Sequence, residues 1–306
     1  MTGPILCVGA LGLDTIFRLD ALPSGSGKFL PLEAIEVVEG MATAQATTIV
    51  RLGGRARLWA SVGDDATGRR IIDDLAAEGI DTTAIRTVAG ARSGFASVFV
   101  DRTGERMIVP CYDHALSAPP AALPDFADIA AVSVDVRWPD AAVLALRAAR
   151  DRDIPCIADI DIGPRDALLA VFEASGFAIA SEGGATILTG ATDAPDAVRR
   201  MALVHTGFVA VTVGSAGVYW YDRAAGEVRH IPAPSVTSID TLAAGDVFHG
   251  AFAQRLAEGA ASPDALRFAA AAAAIKCTRF GGRLGAPTRT EVELLLNSPE
   301  SGLPPQ

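Results

Sequence analysis

The chain is poor in several things, and each scarcity removes a class of function. Its 306 residues include only four cysteines, Cys7, Cys111, Cys156 and Cys277, with no C-x-x-C pair and no metal spacing. A disulfide framework or a structural zinc site is therefore not expected. Cys7 and Cys156 lie in apolar, strand-like runs, where buried free thiols are expected. The four histidines, among them His114, His205 and His230, also lack metal spacing. Aromatic residues make up 6%, charged residues 20%, and acids outnumber bases for a net charge of -10. That balance argues against a nucleic-acid or anionic-membrane surface. No apolar run approaches the roughly 20 residues of a membrane span. Residues 1–14 have no basic region ahead of their apolar stretch and read as a first buried strand, not an export signal. A cytoplasmic, reduced protein is expected.

Apolar residues are plentiful. Half the chain is hydrophobic, enough for one large α/β domain or two smaller ones. Short apolar runs at 5–11, 57–63, 129–136, 154–160, 177–180 and 208–214 alternate with helical stretches. Continuous apolar strands between helices imply a mainly parallel sheet covered on both faces. Helices are expected at Thr43–Leu52, Thr67–Glu78, Ala141–Arg150, Ala194–Val204, Asp246–Glu258 and Pro263–Lys276, the last capped by Ser262. Its alanines Ala269–Ala274 make a slim helix that another element or a flat ligand could approach closely. Phe29–Val38 and Gly94–Cys111 look extended, with a hairpin turn at Asp101–Gly104; they suit an inserted β-lid or an extension of the sheet edge.

Two apparent phosphate loops fail their context. Ser24-Gly25-Ser26-Gly27-Lys28-Phe29 has Leu22 in place of the first glycine and precedes an extended run. Gly9-Ala10-Leu11-Gly12 lacks the dinucleotide-binding spacing. The stretch Asp240-Thr241-Leu242-Ala243-Ala244-Gly245-Asp246 differs from both, because small residues there open an amphipathic helix. Such a turn presents unpaired amides and the positive end of a helix dipole to an anion. Asp246, at its rim, could accept a proton from an alcohol. A plain capped helix is the competing reading.

This segment resembles the Asp-Thr-x-Gly-Ala-Gly-Asp signature of the ribokinase-like (PfkB) carbohydrate kinases, with Ala243 where the family usually has Gly. The similarity runs from Cys7 to Pro287 and implies a single domain over 1–306. Its fold would be a three-layer α/β/α sandwich with a mainly parallel central sheet and an inserted β-lid at about 15–40 and 92–112. The resemblance implies an ATP-dependent sugar kinase with Mg²⁺ and, nearby, a monovalent cation such as K⁺. Asp246 would be the base, and the amides of Ala243, Ala244 and Gly245 would stabilise the transferred group. Asp14 and Gly40 would bind the sugar, although a strand-end Asp can simply be solvated. Thr212, Gly214 and Gly217 would flank the nucleotide, with Ala273, Cys277 and Gly282 around the adenine. The family's Asn-x-x-Glu metal element is replaced by Ser181-Glu182-Gly183-Gly184, leaving Glu182 as a substitute ligand. A homodimer through the lid is also implied.

The departures resemble the sulfofructose kinase branch, which phosphorylates 6-deoxy-6-sulfofructose at its 1-hydroxyl. They comprise Asp135-Val136-Arg137-Trp138, Ser26-Gly27-Lys28-Phe29, Asp246-Val247-Phe248-His249-Gly250 and Lys276-Cys277-Thr278-Arg279. Lys28 and Arg137 would neutralise a distal anion. Against this, Lys28 suits a solvated loop, and Arg137 suits an ion pair with Asp135 or Asp159. A fructokinase, ribokinase or 2-keto-3-deoxygluconate kinase, a nucleoside kinase, and a non-catalytic sugar sensor on the same fold remain alternatives. His249 is expected on the helix surface, without a catalytic role.

Overall fold

The computed structural model describes residues 3–298. An eight-stranded sheet runs in the order Glu227–Ile231, Val218–Asp222, Phe208–Thr212, Phe177–Ser181, Cys156–Ile160, Ala131–Val134, Ile5–Val8, Ala56–Trp59. All neighbours pair in parallel except at one edge, where Phe208–Thr212, Val218–Asp222 and Glu227–Ile231 pair antiparallel in succession. Successive side chains leave a strand on opposite faces, so Ile5 and Cys7 enter one core while Leu6 and Val8 enter the other. Helices Met41–Arg51, Ala66–Ala77, Ala244–Ala257, Ser262–Cys277 and Arg289–Leu296 cover the first face. Helices Pro139–Arg150, Arg165–Ala174, Glu182–Thr189 and Ala194–Val204 cover the second. This is the expected three-layer α/β fold.

The six expected helices form, with ends shifted by one or two residues in most of them. One cap differs: Ala261, not Ser262, precedes the helix Ser262–Cys277, and no side chain caps it. Its alanines Ala269–Ala272 and Ala274 are buried against neighbouring helices, while Ala273 is only partly so. Gly250, in the helix Ala244–Ala257, shows how closely two helices of this layer approach, because a Cβ there would lie 2.6 Å from the carbonyl oxygen of Gln45 in the helix Met41–Arg51. Glu182–Thr189 escapes sequence reading because Gly183 and Gly184 occupy its first turn and resemble a loop. A Cβ at Gly184 would meet the Ile160 carbonyl oxygen at 2.2 Å, so close packing accounts for the glycine.

The extended stretches form their own four-stranded sheet, ordered Glu33–Glu39, Gly12–Arg18, Phe95–Val100, Arg106–Cys111. They do not extend the large sheet. A small core of Ile16, Val37, Ala96, Val98 and Val100 lies on one face, packed against Leu242 and Phe280. The hairpin turn touches the body, since Thr241 Oγ1 donates to the Gly104 carbonyl at 2.8 Å and Arg106 donates to Thr241 Oγ1 at 2.7 Å. No described helix is long and apolar enough to cross a membrane.

Candidate active site

Parallel strands bring their carboxyl ends to one edge of a sheet, where open α/β folds bind ligands. A cavity of about 550 Å³ opens there beneath the four-stranded sheet. The large sheet contributes Ala10, Arg137, Asp159, Asp161, Ser181 and Thr212; the smaller one contributes Asp14, Glu39 and Arg106. The floor is the turn Leu242–Asp246 with His249.

The turn has an unusual backbone. Ala243 is left-handed, with φ 62° and ψ 10°, and caps the helix Ala244–Ala257. This conformation costs a residue bearing a Cβ about 1 kcal/mol. It leaves the amides of Ala243, Gly245 and Asp246 without an acceptor among the described residues. Ala244 departs from expectation, because its amide donates to the Thr241 carbonyl at 3.2 Å.

Asp240 sets this conformation from behind. One carboxylate oxygen accepts from Leu242 N at 2.8 Å, and the other from Gly281 N at 3.0 Å and Gly282 N at 3.1 Å. Lys276, fully buried, lies 3.1 Å from that second oxygen and also donates to the Asp240 carbonyl at 2.7 Å. A carboxylate can be buried when a cation and several N–H donors replace its water.

Five carboxylates, those of Asp14, Glu39, Asp159, Asp161 and Asp246, line the cavity against two arginines. Burial and the neighbouring Asp159 charge push Asp246 up to about 8. Burial raises Glu39 to about 8, opposed by Arg283, whose amide donates to Glu39 Oε1 at 2.7 Å. Burial also raises Asp14 to about 6. Asp14 Oδ1 is buried and has no hydrogen-bond partner among the described residues. An orphaned acceptor facing a cavity is suited to a ligand hydroxyl.

Asp135 does not pair with the Arg137 guanidinium. Its Oδ2 instead accepts from Ala10 N at 2.8 Å and Ala42 N at 3.0 Å, and its Oδ1 from Arg137 N at 2.8 Å. The guanidinium lies 3.2 Å from Asp161 Oδ2 and donates to the Ile162 carbonyl at 2.7 Å. Its ion-pair partner is thus Asp161, not Asp135 or Asp159.

Residues 6–289 match the model of the pfkB family carbohydrate kinases. The chain belongs to that family. It is 30% identical to the ribokinase of Bacillus subtilis, the match covering 96% of this chain and 99% of the relative. The fructokinase of Klebsiella pneumoniae is 28% identical, covering 90% and 95%. Among solved structures, one from Agrobacterium tumefaciens superposes with a TM-score of 0.93 at 45% identity, covering 96% of this chain and 97% of the other. The ribokinase of Arabidopsis thaliana, solved with ribose and ATP, has the same fold at 23% identity and a TM-score of 0.81, covering 97% and 100%. This pfkB-family chain is a phosphotransferase acting on a sugar hydroxyl.

The fold brings Asp14, Gly40, Arg137, Thr212 and the Ala243–Asp246 turn of this carbohydrate kinase to one cavity. Gly40 has φ 130°, and a Cβ there would lie 2.2 Å from the Ala10 carbonyl oxygen. Lys28 is not brought there; it lies exposed in a loop outside the cavity lining. Glu182 is also exposed and lines a separate hollow of about 20 Å³. Gly214, Gly217, Ala273, Cys277 and Gly282 stand outside the cavity lining. Gly217 has φ 101°, and a Cβ would meet the Ile231 carbonyl oxygen at 2.1 Å. The Cys277 carbonyl accepts from Ile239 N at 2.7 Å and Asp240 N at 3.2 Å, so Cys277 and Gly282 both brace the turn.

Sequence reading missed Asp161, Arg106 and His249. Asp161 lies just past the end of the strand Cys156–Ile160, the placement expected for Asp14, which instead lies inside the strand Gly12–Arg18 of the smaller sheet. Arg106 follows the hairpin turn, and only folding brings it to Thr241. His249 is not a surface residue; it is 2% exposed in the core.

Proposed function

We propose that this chain transfers the γ-phosphate of ATP to a primary hydroxyl of a sugar held between the body and the four-stranded sheet, which acts as a lid. One observation carries the reading: the unengaged amides of Ala243, Gly245 and Asp246, the Asp246 carboxylate and the orphaned Asp14 oxygen all face one cavity. Asp14 accepts a hydrogen bond from a sugar hydroxyl and, with Gly40, orients the ring. Asp246 takes the proton of the attacking hydroxyl as its oxygen bonds to the γ-phosphorus. The bond from that phosphorus to the bridging oxygen breaks, and ADP leaves. The turn amides meet the negative charge developing on the transferred group. Thr212 borders the nucleotide side, with Gly214, Gly217, Ala273, Cys277 and Gly282 further along it.

The donor set does not form a protein cage for Mg²⁺: no cluster of three or more His, Cys, Asp or Glu ligands occurs among the described residues. Mg²⁺ commonly keeps its waters and binds through substrate phosphates. Glu182, exposed and outside the cavity lining, is not placed beside those phosphates.

Arg137 favours one finer reading, a ketose with a distal anion such as 6-deoxy-6-sulfofructose phosphorylated at its 1-hydroxyl. Arg137 borders both the main cavity and an adjoining one of about 300 Å³, where it could meet that anion. A nucleoside acceptor has less support, because Tyr112 is the one aromatic side chain among the residues lining the main cavity. The test is a coupled ADP-release assay across sulfofructose, fructose 6-phosphate, fructose, ribose and 2-keto-3-deoxygluconate. Activity on one or more sugars is expected, and Arg137→Ala should impair the anionic acceptors selectively. Silence on every sugar would sink the kinase reading in favour of a sensor; equal losses on neutral sugars would sink the anion reading.

The outer face of the lid exposes Leu30, Leu32, Met107 and Val109, while Ile108 leaves the opposite face and lines the cavity. This apolar surface supports pairing of two lids in a homodimer.

A further inference from the structure

His249 projects from the helix that begins with the catalytic turn, and three acceptors surround its ring. Nδ1 is 2.8 Å from the Gly245 carbonyl oxygen and 3.2 Å from Asp159 Oδ2, while Nε2 is 3.3 Å from the Ile179 carbonyl oxygen. No donor points at either nitrogen among the described residues. Asp159 Oδ2 also accepts from Gln45 Nε2 at 3.1 Å, and Gln45 Oε1 accepts from Ser133 Oγ at 2.7 Å. The donors therefore run in one direction, from Ser133 through Gln45 to Asp159, whose Oδ2 also lies within ion-pair distance of the ring. An imidazole satisfies acceptors at both nitrogens only when both carry protons.

The peptide that His249 grips is the important one. The Gly245 carbonyl and the Asp246 N–H belong to the same planar trans unit, so they point in opposite directions. A donor fixed on the carbonyl holds the N–H aimed into the anion site. It also polarises the unit and makes the N–H a stronger donor. We propose that His249, held as an imidazolium by Asp159, is a positioning residue that pins and polarises the Gly245–Asp246 peptide for phosphoryl transfer. This rests on the kinase reading above.

Other charged groups face the pair from each neighbouring element. Asp161 lies beyond the strand carrying Asp159, Asp135 ends the adjacent strand, Arg137 follows it, and Asp246 lies on the same helix. Burial lowers the proton affinity of His249 despite the Gly245 and Ile179 carbonyls and the Asp246 charge, and raises that of Asp159, so the competing arrangement places the shared proton on the carboxyl.

Two measurements separate these arrangements. In ¹⁵N-histidine NMR of the native protein near pH 7, the His249 ring should show both nitrogens protonated; a neutral tautomer would overturn the proposal. In steady-state assays on variants whose thermal melts show a folded protein, His249→Leu should lower kcat about tenfold, with the sugar KM within twofold. His249→Asn, which keeps a donor near the Nδ1 position, should recover most of that loss. Equal rates for wild type and His249→Leu, or no difference between Leu and Asn, would also overturn it. If neither variant folds, the NMR result decides. Lack of sugar kinase activity in the wild type would instead remove the parent reading, a failure visible before any variant is made.

Discussion

Lys276 offers a direct test of how the turn Leu242–Asp246 is held. Its ammonium is the only cation in contact with Asp240 among the described residues, and both side chains are 0% exposed. Lys276→Met keeps the length of the side chain and removes the charge. Asp240 retains three amide donors, from Leu242, Gly281 and Gly282, and loses its ion pair. Breaking one side of a buried pair generally costs about 3–5 kcal/mol, because the remaining charge cannot regain water. The retained amides place this case near the lower end, at about 3 kcal/mol. Asp240→Asn in the same background removes the stranded charge, so the double variant should be less destabilised than the sum of the two single variants by about 1–3 kcal/mol. Urea unfolding followed by circular dichroism gives all four stabilities at one temperature. Because Asp240 also positions Leu242 and the following turn, folded Lys276→Met should lose kcat. A loss below about 1 kcal/mol, or additive behaviour of the two changes, would refute the idea that this pair holds the turn.

Other outcomes follow from the same geometry. Asp246→Asn should lower turnover by at least about a thousandfold while leaving the fold intact, and retained turnover would reassign the base. Native kcat/KM should rise with pH towards about 8 as Asp246 loses its proton. The stability effect has the opposite sign. A carboxyl whose folded value lies above its unfolded value binds more protons when folded between the two, so its contribution to stability declines as pH rises through that window. Melts at pH 8 should therefore show Asp246→Asn more stable than wild type, and an unchanged or lower midpoint would contradict the raised value. Ala243→Gly should change stability by less than about 0.5 kcal/mol, because relief of the left-handed strain is offset by the greater freedom of glycine in the unfolded chain. Its kcat should match wild type; a large loss would give the Ala243 methyl a role absent from this account. Val109→Lys places a charge on the exposed lid face and should shift a dimer to monomer in analytical ultracentrifugation, whereas a monomeric wild type would dismiss lid pairing.

The reading of the chain succeeded where information is local. Alternating apolar runs and helical stretches marked the parallel sheet, since a strand buried on both faces must be apolar throughout. The small-residue turn before Phe248 stood out because its residue types are contiguous, although Gly281, Gly282 and Lys276 complete its support through Asp240. The antiparallel hairpin Val218–Ile231 and the helix Arg165–Ala174 went unrecognised, because partners distant in the chain complete their burial.

By itself, then, the sequence determined the layered α/β architecture and singled out Asp246 and Asp14, which folding brings to one cavity. These depend on residue type, period and contiguous spacing. Only the tertiary structure decided which cations reach the site. Lys28 and Arg137 looked equivalent in the chain, yet one stands in an exposed loop while the other borders the cavity, paired with Asp161. It likewise decided that His249 is an interior residue and that Lys276 braces the turn. A charge takes its role from what surrounds it after folding, and those surroundings come from segments 24 to 70 residues apart in sequence.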